Sequence, residues 1–158
     1  MPDLRLTVPD TPVGPLTLYE AGGAITALTW ESSGTASDGD ESPLLQEAAR
    51  QLREYFAGTR QDFDLPLAPR GTDFQKAVYR AMQAIPYGET KSYGEIAEAL
   101  DGCARAVGSA CGSNPIPVII PCHRVLAAGG KPGGFSGLGG LDTKKTLLDL
   151  EGSPSWLL

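Results

Sequence analysis

The chain has 158 residues, 41% of them hydrophobic, and a formal charge of −6. That length suits one compact unit or two small lobes with a core of their own. No stretch approaches the roughly 20 consecutive apolar residues of a membrane span, and the opening MPDLRLTVPD lacks the basic-then-apolar pattern of a signal peptide, so the expected location is the cytoplasm.

Residues 1–70 hold 5 Lys/Arg against 11 Asp/Glu, whereas residues 71–158 hold 8 of each. The acidic excess therefore belongs to the first half, and the second half has room for a local basic face. Three cysteines, Cys103, Cys111 and Cys122, accompany a single histidine, His123. An odd, widely spaced set argues against both a disulfide framework and a structural zinc site, and no metal or cofactor is expected.

In chain order, LRLTV, PLTLYE and AITALTW are β-prone runs separated by Pro and Gly, the pattern of an antiparallel meander. Residues 31–42 read as a polar loop. A helix follows, with Ser42 as N-cap, Pro43 at the first helical position and Gly58 just past the end. Its apolar residues Leu44, Leu45, Ala48, Ala49, Leu52, Tyr55 and Phe56 mark a buried face. The segment DFDLPLAPRG breaks helix and strand patterns alike and reads as a linker, which places a boundary between 1–69 and 70–158.

Thr72 or Asp73 can cap a second helix reaching about Ile85. Ser92 and Glu95 form a capping-box pattern before YGEIAEAL, which Asp101-Gly102 ends, and a further short helix runs from about Cys103 to Ala110. Two such helices make a helix-turn-helix candidate, a pattern shared with plain helical hairpins. In NPIPVIIPCHRV three prolines frame Val118-Ile119-Ile120, which suggests a short buried strand with Cys122 at its exit. A glycine-rich loop follows, then a last helix for which Asp142 is the expected cap.

Cys122 lies between Pro121 and His123-Arg124, whose charge or hydrogen bonding favours thiolate over thiol. A buried inert cysteine beside an ordinary histidine has the same local sequence. In an extended segment adjacent side chains point apart, so contact between the two requires a turn or a bridging water.

PCHRV at 121–125, NPIP at 114–117, RAVG at 105–108 and IPYGETKSYGEIA at 85–97 together resemble the motif series of the O6-alkylguanine-DNA alkyltransferases. The match runs in order from GTDFQ at 71–75 to LEG at 150–152. The resemblance implies an α/β fold: a small N-terminal antiparallel sheet plus helix of ribonuclease H-like type, then a mostly helical C-terminal lobe with a helix-turn-helix of winged-helix type. It also implies direct-reversal repair, in which an alkyl group passes irreversibly from O6-alkylguanine in double-stranded DNA to the protein's own cysteine, with O4-alkylthymine as a further possible substrate.

By that resemblance Cys122 is the acceptor, His123 takes its proton through a water, Glu151 orients the imidazole, Asn114 braces the turn before the acceptor, and Tyr93 protonates the leaving base. Arg105 fills the stack from which the base is flipped, and the small residues Ala104, Ala106, Gly108 and Ala110 let the helix approach the minor groove. Val125, Phe135, Ser136 and Cys111 line the base and alkyl pocket. Phe135 stands where many members carry tyrosine, and GFSGLGGL is two residues longer than the usual loop. No counterpart exists for the N-terminal zinc ligands of some relatives, because residues 1–70 contain neither Cys nor His. A monomer is expected. The alternatives are a non-catalytic alkyltransferase-like damage sensor, a cysteine hydrolase and a sequence-specific regulator; the intact acceptor cysteine separates the favoured reading from the first.

Overall fold

Alternating side chains in the first thirty residues build a three-stranded antiparallel sheet, β1 (Leu4–Val8), β2 (Leu16–Ala21) and β3 (Ala24–Thr29), in that spatial order. Leu6 faces Leu18 and Leu18 faces Leu28 across the register. Gly22 and Gly23, both at positive φ, make the two-residue turn whose twist matches a tight hairpin. The computed structural model describes residues 4–30, 42–127, 129, 133 and 140–153, and the chain divides into two compact units, Met1–Arg70 and Gly71–Leu158.

Helix α1 (Pro43–Phe56) starts where Ser42 accepts the Leu45 N–H at 3.1 Å, and it lies against the sheet. Leu45, Ala48, Ala49, Leu52 and Tyr55 are buried along one stripe, over Leu16, Leu18, Ile25 and Leu28. Gln51 is buried with them, a polar residue that helical periodicity alone assigns to no role. Its amide donates to Asp64 O at 3.1 Å and accepts from Asp64 N at 2.9 Å, which satisfies both ends of the side chain.

The segment expected as a plain linker is pinned instead. Ile25 N donates to Pro66 O and Ala68 N to Ile25 O, each at 2.8 Å, so residues 66–68 run beside β3 in a parallel bridge. Pro66 can sit there because it contributes only its carbonyl.

The second unit opens with α2 (Asp73–Gln83), two residues shorter than the apolar stripe suggested; Thr72 and Gln75 close a capping box at its start. Strand β4 (Lys91–Ser92) leads directly into α3 (Tyr93–Ala99), where Ser92 and Glu95 form a second capping box. Asp101 at φ 55 turns the chain, and α4 (Ala104–Gly112) packs on both α2 and α3. Gly102 packs closely at this turn, since a Cβ there would lie 3.0 Å from the Phe74 ring.

After α4 the chain reaches a 3-10 turn (Cys122–Arg124), then β5 (Val125–Leu126), which pairs in parallel with β4. Ser92 sits opposite Leu126, so the start of the Tyr93 helix is tied to the strand that leaves the cysteine turn. Helix α5 (Leu141–Leu150) closes the described chain and buries Leu147 and Leu148. Gly140, rather than Asp142, is its N-cap, and Asp142 lies in the first turn, where it favours the positive end of the helix dipole. None of the described helices is long and apolar enough to cross a membrane.

Replacing Ser92 by Ala removes the side-chain acceptor of the Glu95 N–H and is expected to cost about 1 kcal/mol of stability. Chemical denaturation reads this as a lower midpoint at constant slope; an unchanged midpoint contradicts a stabilising cap.

Candidate active site

Residues 114–121 are a braced turn, not the strand that their apolar run suggested. Val118 has φ 72, a left-handed conformation that is unusual for a β-branched residue and incompatible with a strand. Asn114 holds the turn from inside: its amide nitrogen donates to Ile120 O at 2.8 Å and its oxygen accepts from Ile116 N at 3.0 Å. A backbone bond from Ile120 N to Ile116 O at 2.8 Å closes the loop. These bonds are what keep the strained residue in place.

The chain then tightens further. Cys122 N donates to Ile120 O at 2.8 Å and Arg124 N to Pro121 O at 3.0 Å, which winds Cys122, His123 and Arg124 into one 3-10 turn with all three side chains buried. The turn replaces the extended geometry in which neighbouring side chains point apart.

His123 Nε2 is 2.7 Å from Glu151 Oε2, and Glu151 is the residue that caps the C-terminal end of α5. Arg124 grips the same carboxylate, with Nε on Oε1 at 2.8 Å and Nη2 on Oε2 at 3.0 Å, and passes Nη1 to Ile85 O at 2.7 Å. Its guanidinium also lies 5.7 Å from the Tyr87 ring centroid, within cation–π range.

Burial raises the Glu151 pKa, but the hydrogen bonds from His123 and Arg124 and the Arg124 charge outweigh it and hold the carboxyl at about 2. Burial pushes His123 the other way, below the usual imidazole value, against the opposing pull of Glu151. The pair is therefore a carboxylate facing a neutral imidazole. A carboxylate only accepts, so Nε2 carries the proton and Nδ1 carries the lone pair. Nδ1 is buried without a hydrogen-bond partner among the described residues.

The Cys122 thiol is pushed up by burial, while hydrogen bonding from Asn114 and the nearby Lys144 ammonium oppose the shift. The resting sulfur is thus a thiol, and it needs a base to become a nucleophile. Lys144 is fully buried on α5 and donates to Val125 O at 2.7 Å, with its pKa lowered to about 8 by burial against the raising influence of Cys122 and Cys111. Cys111 sits behind, donating to Met82 Sδ at 3.5 Å, its thiol pushed up to about 12 by burial and Cys122.

The other expected residues divide into groups. Tyr93 is half-buried at the start of α3, and Gly133 lies close against it: a Cβ on Gly133 would lie 2.6 Å from Tyr93 Oη. Arg105 is exposed on α4 beside Ala104 and Ser109, with Ala106 and Gly108 partly exposed. Ala110 departs from expectation, because it is buried against the helices behind α4, and Gly112 joins the exposed face instead. Val125 is buried in β5. Phe135 and Ser136 lie outside the described residues.

Sequence placed Arg124 beside the acceptor only as a charge favouring thiolate and gave Lys144 no role. Arg124 is visible as a charge next to the acceptor candidate, but its partner is 27 residues away. Lys144 could have been found by spacing: it shares the helical face of Leu147 and Leu148, at i, i+3 and i+4, whereas its neighbour Lys145 is exposed and pairs with Asp149. Among the described residues no three His, Cys, Asp or Glu side chains are disposed to hold a metal ion.

The chain matches two family models, the 6-O-methylguanine DNA methyltransferase ribonuclease-like domain over residues 4–69 and the 6-O-methylguanine DNA methyltransferase DNA binding domain over residues 73–153. It is 49% identical over 151 residues to the methylated-DNA--protein-cysteine methyltransferase of Mycobacterium bovis, covering 91% of this chain and 90% of that protein. The constitutive enzyme of that name from Bacillus subtilis is 41% identical over 157 residues, covering 92% and 93%. Among solved structures, the Mycobacterium tuberculosis O6-methylguanine methyltransferase superposes with a TM-score of 0.81 at 42% identity, over 95% of this chain and 93% of that one. A Mycobacterium tuberculosis relative crystallised in complex with DNA also gives 0.81, at 41% identity and 96% of both chains.

With a folded-state pKa of about 2 against an ordinary 4.5, the Glu151 contribution to stability is complete above about pH 4.5 and is lost as the pH falls toward 2. Glu151→Gln is therefore expected to lower stability strongly at pH 7, with the gap to the parent narrowing between pH 4.5 and 3 in denaturant titrations. A gap that stays constant over that range contradicts a carboxylate ionised by its partners.

Proposed function

Because this chain belongs to the 6-O-methylguanine DNA methyltransferase family, we propose that it repairs O6-alkylguanine in double-stranded DNA by taking the alkyl group onto Cys122. The observation that carries the reading is a single buried turn that holds both Cys122 and His123, with the imidazole Nε2 held by the Glu151 carboxylate at 2.7 Å.

In this reaction the Cys122 sulfur attacks the alkyl carbon in line with the bond to O6. An S–C bond forms and the C–O6 bond breaks. The thiol proton passes through a water to His123 Nδ1, the atom left without a protein partner among the described residues. The imidazolium so formed is stabilised by Glu151. The departing guanine gains negative charge, and the Tyr93 hydroxyl supplies a proton to its ring nitrogen. Guanine is restored and the protein keeps a thioether, which has no ready route back to thiol, so each molecule acts once. The chemistry calls for no metal or cofactor.

The target carbon is inside a duplex, so the base must leave the stack before the sulfur can reach it. The exposed face of α4 suits this step. Gly108 and Gly112 are small for no internal reason, since a Cβ on either would meet nothing within 4 Å. Their smallness leaves room for something outside the chain, consistent with a helix set into the minor groove and Arg105 replacing the flipped base. Val125, with Cys111 behind and Phe135 and Ser136 in the glycine-rich loop, would line the pocket that receives it. The protein is taken to act in the cytoplasm as a monomer.

A duplex carrying a radiolabelled O6-methyl group tests the reading. Label is expected to move to protein and to saturate at one methyl per chain, and Arg105→Ala is expected to slow transfer from the duplex by roughly tenfold or more while reacting nearly normally with free O6-benzylguanine. Continued turnover would point to a hydrolase, binding without transfer to a damage sensor, and equal losses on both substrates would remove Arg105 from base flipping.

A further inference from the structure

Proton transfer from Cys122 to His123 works only if the imidazole is neutral before the substrate arrives, and the role of Arg124 inferred here rests on that proposed reaction. A buried imidazole against a lone buried carboxylate tends the other way: the carboxylate stabilises the imidazolium, and a histidine already protonated cannot accept the thiol proton. The structure places a permanent cation on the same carboxylate.

Arg124 occupies both oxygens of Glu151, at 2.8 and 3.0 Å, and shares Oε2 with His123 Nε2. The guanidinium cannot swing away without losing Ile85 O, which Nη1 holds at 2.7 Å, and its place over the Tyr87 ring. Among the described residues, the charged and titratable groups around His123 are Glu151 and Lys144 from α5, Arg124 and Cys122 from its own turn, and Tyr87 against Arg124. Two of these are cations and one is a carboxylate, so a third positive charge on the ring is unfavourable until substrate chemistry creates the demand for it.

We infer that Arg124 is a positioning residue for alkyl transfer: by sharing the Glu151 carboxylate it keeps His123 in the neutral Nε2–H tautomer and leaves Nδ1 free to receive the Cys122 proton. The guanidinium touches neither substrate nor sulfur in this role. It acts through the carboxylate, and its loss leaves Glu151 to pair with an imidazolium.

Because His123 is the only histidine in the chain, imidazole nitrogen-15 NMR reads it without assignment. In the unmodified protein at pH 7 the spectrum is expected to show the neutral Nε2–H form; an imidazolium there overturns the inference whether or not any variant folds. The second arm measures single-turnover methylation of the Cys122 peptide against pH. Arg124→Gln is expected to move the acid limb of the rate profile up by about one to two pH units, with the rate at high pH within a few-fold of the parent, and to raise the His123 titration in parallel. Arg124→Lys, which keeps the charge, is expected to shift both less. A uniform loss of rate at every pH, with the limb unmoved, would mark Arg124 as a structural residue only. Absence of Cys122 methylation in the parent at any pH would instead remove the underlying reaction, and the NMR titration separates that failure from this one.

Discussion

Glu151 is the constraint on which the rest of the second unit depends. Its buried carboxylate receives N–H groups from His123 Nε2, Arg124 Nε and Arg124 Nη2. A charge taken out of water is tolerable only when it is paired and hydrogen-bonded on all sides, so these donors must converge. Their convergence joins the end of α5 to the cysteine turn, and Arg124 Nη1 extends the tie to Ile85 just beyond α2. Asn114 does the complementary task with neutral bonds, holding residues 114–121 in a shape that places Cys122 at the head of the turn.

The same burial that stabilises this network keeps the nucleophile in check. With its pKa raised, Cys122 rests as a thiol and does not gain the reactivity of an exposed thiolate. In the proposed reaction its reactivity comes from the base beside it rather than from a lowered pKa, which suits a protein that is spent by a single reaction and gains nothing from reacting with stray electrophiles. Cys111, close behind and likewise hard to ionise because of its burial, is protected in the same way.

What the sequence revealed were features written locally. Ser42, Thr72 and Ser92 cap the helices they precede because an N-cap needs only its own side chain and the next turn. The Gly22-Gly23 hairpin and the three strands are likewise set by neighbouring residues. The failures were of a different kind. Val118-Ile119-Ile120 looks like a strand to any measure of apolar character, and only the bonds made by Asn114 reveal a turn. Residues 66–68 look like a linker because Pro66 cannot donate, yet its carbonyl is enough to dock the segment on Ile25. Arg124 and Lys144 are both buried, and their burial follows from partners far along the chain, Glu151 and the Val125 carbonyl. That Cys122, His123 and Glu151 belong to one site was expected from the resemblance of PCHRV and LEG to a known motif series, and the turn and the His123–Glu151 bond group them, whereas how Arg124 and Lys144 bear on them needed three dimensions.

Every step of the proposed repair depends on one sulfur of three, that of Cys122, being the alkyl acceptor. Peptide mapping by mass spectrometry after reaction with a duplex containing O6-methylguanine puts that assignment to the test. The expected result is a single added methyl on the peptide bearing Cys122, with the Cys103 and Cys111 peptides unmodified and no addition anywhere in Cys122→Ala. A methyl on Cys103 or Cys111, or an unmodified Cys122 in protein that has demethylated the duplex, would contradict it.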